Sequence, residues 1–308
     1  MVALAVSADQ MPFLGELLAL LVAFLWGLAS VIWTAAGEKV SATELNLIKA
    51  FAAMGLVGCA LLLTGTSLAP VPGSSLVQIL LSGMVGIGVG DVALFAAFQR
   101  IGPTRTSMIK LLSPLLVSLF AFLSLSEKLT LLDLLGMLIT ILGILLVLSE
   151  RLPRNQVTPQ QFWNGLVLAL VSTLGEVVGV GLSRQVLVQT QMDPLWSTFL
   201  RLSAAGVFLS LWVVITRQRI GAWLHSPASK RLVLLIGSGV LCGTFIGLWL
   251  QQTVLKITAA GVAQTFFSST PLFILLIQSL LQRHLPSLRA LGGVSVSMLG
   301  VALLFLGG

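Results

Sequence analysis

The fold is decided by two stretches of equal length: residues 86–114, GIGVGDVALFAAFQRIGPTRTSMIKLLSP, and residues 243–271, GTFIGLWLQQTVLKITAAGVAQTFFSSTP. Adding 157 to a residue number superposes them without a gap, and the match continues past the proline that ends each stretch. The matched pairs are Gly86 and Gly243, Gly90 and Gly247, Pro114 and Pro271, Gly136 and Gly293, and Gly143 and Gly300. Because glycine and proline have special backbone geometry, five coincidences at one offset indicate an internal repeat rather than chance similarity between leucine-rich helices.

The composition indicates a membrane protein. Apolar residues make up 57% of the 308 residues, charged residues only 9%, and the mean hydropathy is +1.06. A soluble domain carries about a quarter of its residues as charged ones. The net charge of +7 comes from basic residues in short loops between apolar segments, which is how residues that orient membrane helices are distributed. We therefore expect contact with membrane lipids and no nucleic-acid partner.

The apolar segments have the length of membrane-spanning helices. A helix that crosses a hydrocarbon core of roughly 30 Å needs about 20 apolar residues. Turn-forming residues such as Gly102, Pro103 and Pro153 separate the segments. Ten are predicted: 13–35, 43–65, 76–98, 103–124, 129–149, 162–186, 194–216, 231–253, 258–281 and 286–307. We therefore predict an all-α membrane protein with ten transmembrane helices.

The repeat divides these segments into two equal sets. Five lie in the first half, residues 1–150, and five in the second half, residues 151–308. Because five is an odd number, the second half must enter the membrane in the opposite orientation to the first. Two inverted five-helix repeats are a common plan of secondary transporters, which hold their substrate near the midplane, where the repeats meet. The sequence therefore predicts a cavity between the halves.

Several short motifs occur in the same order in both halves. The first half contains Trp26-Gly27, the basic Lys49 early in the second segment, Gly102-Pro103-Thr104, Leu112-Ser113-Pro114 and Ser126-Glu127-Lys128. The second half contains Thr258-Ala259-Ala260-Gly261, Ser269-Thr270-Pro271 and Gly292-Gly293, and departs from the pattern at Gln282-Arg283-His284. Together these motifs resemble the EamA-type transporters of the drug/metabolite transporter superfamily over nearly the whole chain. The resemblance implies two EamA-like repeats and the export or exchange of a metabolite.

Five ionisable residues lie well inside the predicted helices: Lys49, Asp91, Lys110, Glu176 and Arg201. A charge at the centre of a membrane helix costs roughly 2.5–3.5 kcal/mol on insertion scales, so such residues usually face the protein interior. Lys49 and Arg201 have stems long enough to reach the membrane interface instead. We expect Asp91, Lys110 and Glu176 to line the pathway. Asp91 and Lys110 are predicted at equal depth on neighbouring helices, so we expect them to pair, with Lys49 as a competitor.

The fourth and ninth predicted helices carry matching polar stripes, Ser107, Lys110 and Ser113 on one and Gln264, Phe267 and Thr270 on the other. Pro114 and Pro271 each remove a backbone hydrogen bond next to a stripe. Free carbonyls at membrane depth are tolerated only against protein or a water-filled cavity. We predict hinges at Pro114 and Pro271, with simple packing kinks as the alternative. The predicted substrate pathway comprises Asp91, Lys110, Glu176, Ser113, Gln264, Thr270 and Trp26.

These features favour a secondary transporter that works by alternating access in a bacterial inner membrane. The five buried charges are three positive and two negative, which favours a cargo with a carboxylate or phosphate, such as an amino acid. The alternative is a flippase for a lipid or lipid-linked headgroup, which requires a lipid-facing groove. The sequence contains no HExxH or GxSxG motif, and both histidines lie in loops. We therefore expect no enzyme activity, no metal site and no cofactor.

The basic residues of the loops predict an orientation. The side that holds both termini carries only Lys128, Arg184 and Lys256. The other side carries eleven: Lys39, Arg100, Arg105, Arg151, Arg154, Arg217, Arg219, Lys230, Arg231, Arg283 and Arg289. The positive-inside rule places these eleven in the cytoplasm and both termini outside. The family resemblance implies cytoplasmic termini, so both orientations stay open.

Overall fold

A computed structural model of the chain describes residues 13–127, 130–150, 158–225, 229–282 and 288–307, and every element in these ranges is helical. The first half contains α1 (Leu14–Gly37), α2 (Ala42–Thr64), α3 (Gly73–Gly83), α4 (Asp91–Lys110), α5 (Ser113–Leu125) and α6 (Leu131–Glu150). The second half contains α7 (Pro159–Gln189), α8 (Pro194–Ile215), a short 3₁₀-helix (Ala222–His225), α9 (Ser229–Gly239), α10 (Gly247–Ile257), α11 (Ala260–Phe267), α12 (Thr270–Gln282) and α13 (Leu288–Gly307).

Polar side chains determine where several of these helices begin. Thr158 and Gln161 form a capping box, in which each side chain accepts from the other residue's backbone N–H. This box starts α7 three residues before the predicted segment at 162. The Asp193 carboxylate accepts from the Leu195 backbone N–H at 2.8 Å and so starts α8 at residue 194, as predicted.

Two seven-residue π-helices interrupt the third and eighth predicted segments, at Met84–Gly90 and Val240–Ile246. They occupy equivalent places in the two halves, since their first residues differ by 156. Side chains of α2 and α1 bond their carbonyls: the Asn46 amide donates to Ile87 O at 2.7 Å, and the Trp26 indole N–H donates to Gly243 O at 3.1 Å. Hydrophobic periodicity predicts regular helices here, because an apolar run contains no signal for an inserted residue. π-Helical turns occur frequently at functional sites.

The length and surface of the helices fit a bilayer. Within the described ranges, seven helical stretches are long and apolar enough to cross a membrane, and three shorter apolar helices lie at 113–125, 131–146 and 292–303. Large apolar side chains cover the outside: Leu62 is 84% exposed, Leu123 74% and Leu280 72%. Such exposure is unfavourable in water and expected against lipid. The chain is therefore a multi-pass integral membrane protein.

The contact between α6 and α13 shows that these helices are inverted copies. A Cβ added at Gly143 would lie 2.4 Å from Ser297 N, and one added at Gly300 would lie 2.4 Å from Thr140 N. Thr140 contacts Gly300, and Gly143 contacts Ser297, so residue numbers that increase along α6 meet residue numbers that decrease along α13. The two helices therefore run in opposite directions. Thr140 and Ser297 differ by the repeat offset of 157, as do Gly143 and Gly300. The contact is therefore symmetric about a pseudo-two-fold axis.

α2 and α8, the second helices of the two halves, also run antiparallel. A Cβ at Gly58 would lie 3.5 Å from Phe199, and one at Gly206 would lie 3.3 Å from Phe51. Position 51 of α2 thus contacts position 206 of α8, and position 58 contacts position 199, which again requires opposite directions. Two pairs of equivalent helices thus confirm the inverted repeat predicted from the odd number of segments.

Gly300→Ala is expected to destabilise the protein by about 1–3 kcal/mol, the usual cost of overpacking. The added methyl group would meet the backbone of Thr140, which cannot rotate away. Gly292→Ala on the same helix is the matched control, because no atom lies within 4 Å of the added Cβ. Thermal unfolding in detergent measures both variants, and equal melting temperatures would contradict the close packing of α6 on α13.

One of the basic residues counted as loop charges is buried inside a helix. Arg184 is inside α7 and only 9% exposed, because this helix continues to Gln189, and it is therefore not an orienting loop charge. Without Arg184 among the loop charges, the positive-inside rule still places both termini outside. The orientation remains a prediction. Several other residues named above lie outside the described ranges: Lys128, Arg151, Arg154, Arg283 and His284.

Candidate functional site

A cavity of about 170 Å³ lies between helices of the two halves. One water molecule needs roughly 10–15 Å³ of such cavity space, so this cavity is large enough for a small solute and water. The wall is formed by α1, α2, α4 and the first π-helix from one half, and by α7, α8, the second π-helix and α10–α12 from the other. Six residues of the predicted pathway lie on it: Trp26, Asp91, Lys110, Glu176, Gln264 and Thr270. Their contact with a substrate remains a prediction.

One ion pair on the wall joins α2 to α4. The Lys49 ammonium donates to the Asp91 carboxylate. It also lies 5.3 Å from the centre of the Phe95 ring, within the range of a cation–π interaction. Because Phe95 is four residues after Asp91, the carboxylate and the ring lie on the same face of α4. Lys49 is 4% exposed, so its stem does not carry the ammonium to the membrane interface.

The predicted pairing of Asp91 with Lys110 is wrong. The helical segment does not end at residue 98 but continues to a break at Gly102, where φ is 78° and ψ is 163°. Asp91 lies 102 − 91 = 11 residues before this break, whereas Lys110 lies 110 − 102 = 8 residues after it. At about 1.5 Å per residue, Asp91 is therefore roughly one helical turn deeper. Asp91 pairs with the predicted competitor Lys49, and α7 brings a different carboxylate to Lys110.

A polar network connects the two halves through the second ion pair. The Lys110 ammonium donates to one oxygen of Glu176. The Gln264 amide nitrogen donates to the other oxygen of Glu176 at 2.8 Å and to the Ser113 hydroxyl at 2.8 Å. Four residues of the predicted pathway thus form one network, with two members from each half. Ser113 is 1% exposed and lies behind Gln264 rather than on the wall.

Both polar stripes end at a break in the helix. α4 ends at Lys110 and α5 begins at Ser113, while α11 ends at Phe267 and α12 begins at Thr270. Pro114 and Pro271 are each the second residue of the new helix, where proline is well tolerated. The breaks predicted from the two prolines are confirmed, whereas their action as hinges remains a prediction.

Glycines bring α7 into backbone contact with the first π-helix. A Cβ added at Gly179 would lie 2.9 Å from the Cα of Gly86, and one added at Gly175 would lie 3.1 Å from the Cα of Gly90. Side chains at these positions would separate the two elements. Glu176 directly follows Gly175, so the contact between α7 and the first π-helix places the Glu176 carboxylate on the cavity wall.

Arg201 is a cavity residue that the predicted pathway left out. It lies on α8, lines the wall and is 4% exposed. Its Nε and Nη1 atoms have no hydrogen-bond partner. Its sequence position close to a helix end allowed an interfacial location, which the burial now excludes. Gln251, a wall residue that is 3% exposed, was also missed, because an uncharged amide gives a weak signal in an apolar segment.

A second polar network lies beyond the cavity wall, and we call it the Glu127–Arg184 clamp. Arg184 Nε donates to Glu127 Oε1 at 2.7 Å, and Arg184 Nη1 donates to Leu255 O at 2.6 Å. The backbone N–H of Ala260 donates to Glu127 Oε2 at 2.9 Å. The clamp therefore ties the end of α5 to α7 and to the turn between α10 and α11. The sequence motif Ser126-Glu127-Lys128 contains Glu127 but does not indicate its partner, because Arg184 is distant in the sequence.

In the described part of the chain, no group of three or more His, Cys, Asp or Glu side chains is arranged to hold a metal ion. The charged and amide groups on the wall are instead suited to bind a polar solute directly. Their chemistry is that of a binding cavity, with donors, acceptors and aromatic rings on the same wall.

Comparison with known proteins identifies the family. The chain matches the model of the EamA-like transporter family over residues 13–149 and 163–306, which is one match in each half. A solved structure titled only "Crystal structure of protein" superposes with a TM-score of 0.76 and 16% identity, over 94% of this chain and 95% of that chain. At that identity it shows a shared fold alone. No curated protein matches the chain. Because the two family matches cover most of the sequence, the chain belongs to the EamA-like transporter family.

Proposed function

We propose that this chain is a secondary transporter that moves a small solute through the cavity between its halves by alternating access. The observation that carries the proposal is the network of Lys110, Glu176, Gln264 and Ser113, which crosses from one half to the other at the cavity. Charged groups inside a membrane are costly and mark pathways. Inverted-repeat transporters bind their substrates where the repeats meet.

The proposal includes ten membrane crossings. α6 and α13 have 20 residues each, which is about 30 Å of helix and enough to span the hydrocarbon core. α5 continues the helical limb that begins at Pro103, and together they form the fourth crossing. Equivalent helices that run antiparallel require an odd number of crossings in each half, and five satisfies this. Residues 1–150 and 151–308 then form the two repeats, in a bacterial inner membrane.

We infer that in this arrangement the cavity is closed on the face that carries the Glu127–Arg184 clamp. The Asp91 and Lys110 side chains are 27% and 26% exposed, whereas Gln264, which is closer to the clamp, is 2% exposed. An apolar cluster that includes Leu187, Leu255 and Ala260 fills the space around the clamp. Alternating access requires this face to open in the other state.

The wall favours a cargo with an acidic group. Three cationic side chains, Lys49, Lys110 and Arg201, face two carboxylates, those of Asp91 and Glu176. This imbalance supports an amino acid or another small metabolite with an anionic group, moved by export or exchange. Aromatic side chains on the same wall, among them Trp26, Phe95 and Phe98, add apolar contact area.

A thermal-shift screen of the purified protein against amino acids, nucleotides and sugar phosphates, followed by counterflow in proteoliposomes, tests the function. We expect at least one of these solutes to stabilise the protein and to exchange across the membrane. Glu176→Gln should abolish the exchange, while Glu38→Gln, at an exposed position, should retain it. Movement of a fluorescent lipid between leaflets without solute exchange would overturn the proposal in favour of a flippase.

Replacing Pro114 and Pro271 together by alanine is expected to slow counterflow about tenfold while leaving membrane insertion and yield unchanged. The reason is that each alanine can restore the helical hydrogen bond to the carbonyl four residues earlier, at Lys110 or Phe267, and so stiffen the break beside the cavity. Initial rates of counterflow measure the effect. Full transport by the double variant would show that the prolines are packing features only.

A further inference from the structure

Arg201 differs from the other two cations of the cavity wall. Lys49 bonds Asp91 and Lys110 bonds Glu176, so both carboxylates of the wall already have a cationic partner. The Glu176 oxygen that Lys110 leaves free accepts from Gln264. Arg201, in contrast, is 4% exposed and its Nε and Nη1 atoms have no partner. We propose that Arg201 binds the anionic group of the cargo, a carboxylate or a phosphate. This inference rests on the proposed transport function and names its substrate class.

The surroundings of Arg201 indicate a built site. A Cβ added at Gly86 or Gly179 would lie 3.5 Å from Arg201 Nη2, and one added at Gly83 would lie 2.2 Å from Arg201 O. Gly83 thus leaves room for the α8 backbone at Arg201, and Gly86 and Gly179 lie beside the guanidinium at ordinary contact distance. This packing against α7 and the first π-helix holds Arg201 inside the helix bundle, away from the membrane interface.

The chemistry of the guanidinium selects the ligand. It is planar, permanently charged and has five N–H donors that match the geometry of carboxylate and phosphate oxygens. A guanidinium buried in a membrane protein with unbonded nitrogens has lost its hydration without a replacement. An anionic group in the cavity supplies the missing acceptors.

Two acceptors on the same wall refine the class of cargo. The side-chain oxygens of Gln251 and Gln264 are buried and have no donor. These oxygens suit N–H or O–H groups of a ligand, because an unpaired buried acceptor is unfavourable. The cargo is therefore an acidic solute that also carries hydroxyl or amino groups.

Isothermal titration calorimetry on the full chain in lipid nanodiscs tests the site with matched probes. The carboxylate probe is 3-phenyllactate, with its neutral amide as the comparison, and the phosphate probe is glycerol 3-phosphate, with glycerol as the comparison. We expect at least one acid to bind tenfold or more tightly than its neutral partner. Arg201→Gln should remove that difference and Arg201→Lys should retain part of it. Arg219→Gln, a control at an exposed arginine outside the wall, should leave it unchanged.

The outcomes separate this inference from the transport function. Equal affinity for acid and neutral probes, or no binding of either acid, overturns the site even if Arg201→Gln does not fold. Unchanged acid binding by Arg201→Gln also overturns it. Arg201-dependent binding without any counterflow in proteoliposomes supports the site and contradicts the transporter. Counterflow that both Arg201 variants leave unchanged supports the transporter and contradicts the site.

Discussion

Asp91→Asn is expected to destabilise the protein by about 3–5 kcal/mol, because it leaves a buried ammonium without a carboxylate. The Lys49 side chain is 5% exposed and cannot recover its hydration in place. The Phe95 ring near the ammonium offers roughly 0.5–2 kcal/mol as a cation–π partner, which is too little to replace the ion pair. The melting temperature and the monodisperse fraction in size-exclusion chromatography measure the loss.

The double variant Lys49→Met with Asp91→Asn should recover most of this stability, because removing both charges leaves no unpaired ion. Transport should stay impaired, since the cavity wall has lost two of its charged groups. Lys39→Met with Glu38→Gln is the matched control, as both residues are exposed beside the start of α2 and should change stability little. A double variant no more stable than Asp91→Asn alone would contradict the role of the pair. The Lys110 side chain is 26% exposed, against 5% for Lys49, so removing the carboxylate from the Lys110–Glu176 pair should show a smaller effect.

The sequence predicted the repeat, its inversion and six of the residues on the cavity wall, because each follows from a strong physical constraint. Asp91 and Glu176 are too short to reach water from a membrane helix, so their burial against the cavity followed from their positions. The proline breaks followed from the missing N–H groups. These inferences needed no knowledge of which helices pack together.

The partners of the buried charges depend on the depth and packing of the helices, and the predicted pairing of Asp91 with Lys110 was wrong for that reason. A three-residue error in the end of one segment placed Asp91 level with Lys110, and the sequence gives no indication that α7 packs against α4. Each π-helix rotates the helix that follows it about the helix axis, and apolar periodicity does not reveal where the π-helices lie. The repeated glycines at Gly86 and Gly243 mark their positions, although the same spacing is common in ordinary helix packing.

Breaking the Glu127–Arg184 clamp is expected to open the closed face of the cavity. Arg184→Met removes the hydrogen bonds from Arg184 to Glu127 and to Leu255 O, which are 2.7 and 2.6 Å long. Hydrogen bonds to charged groups contribute roughly 1.5–3 kcal/mol. Since about 1.4 kcal/mol corresponds to a factor of ten in an equilibrium, the open population of this face should rise at least tenfold.

Labelling of a buried reporter measures this opening. Val180 lines the cavity and is 1% exposed, so Val180→Cys in a background with Cys59→Ser and Cys242→Ser should react slowly with a membrane-impermeant maleimide. Arg184→Met and Glu127→Gln should each increase the rate about tenfold when the reagent is added on the clamp face. Lys256→Met is the matched control, because Lys256 bonds Met192 O at 2.9 Å without joining the clamp, and the rate should not change. If neither clamp variant increases the labelling rate, the clamp is a packing contact and another group of residues closes this face.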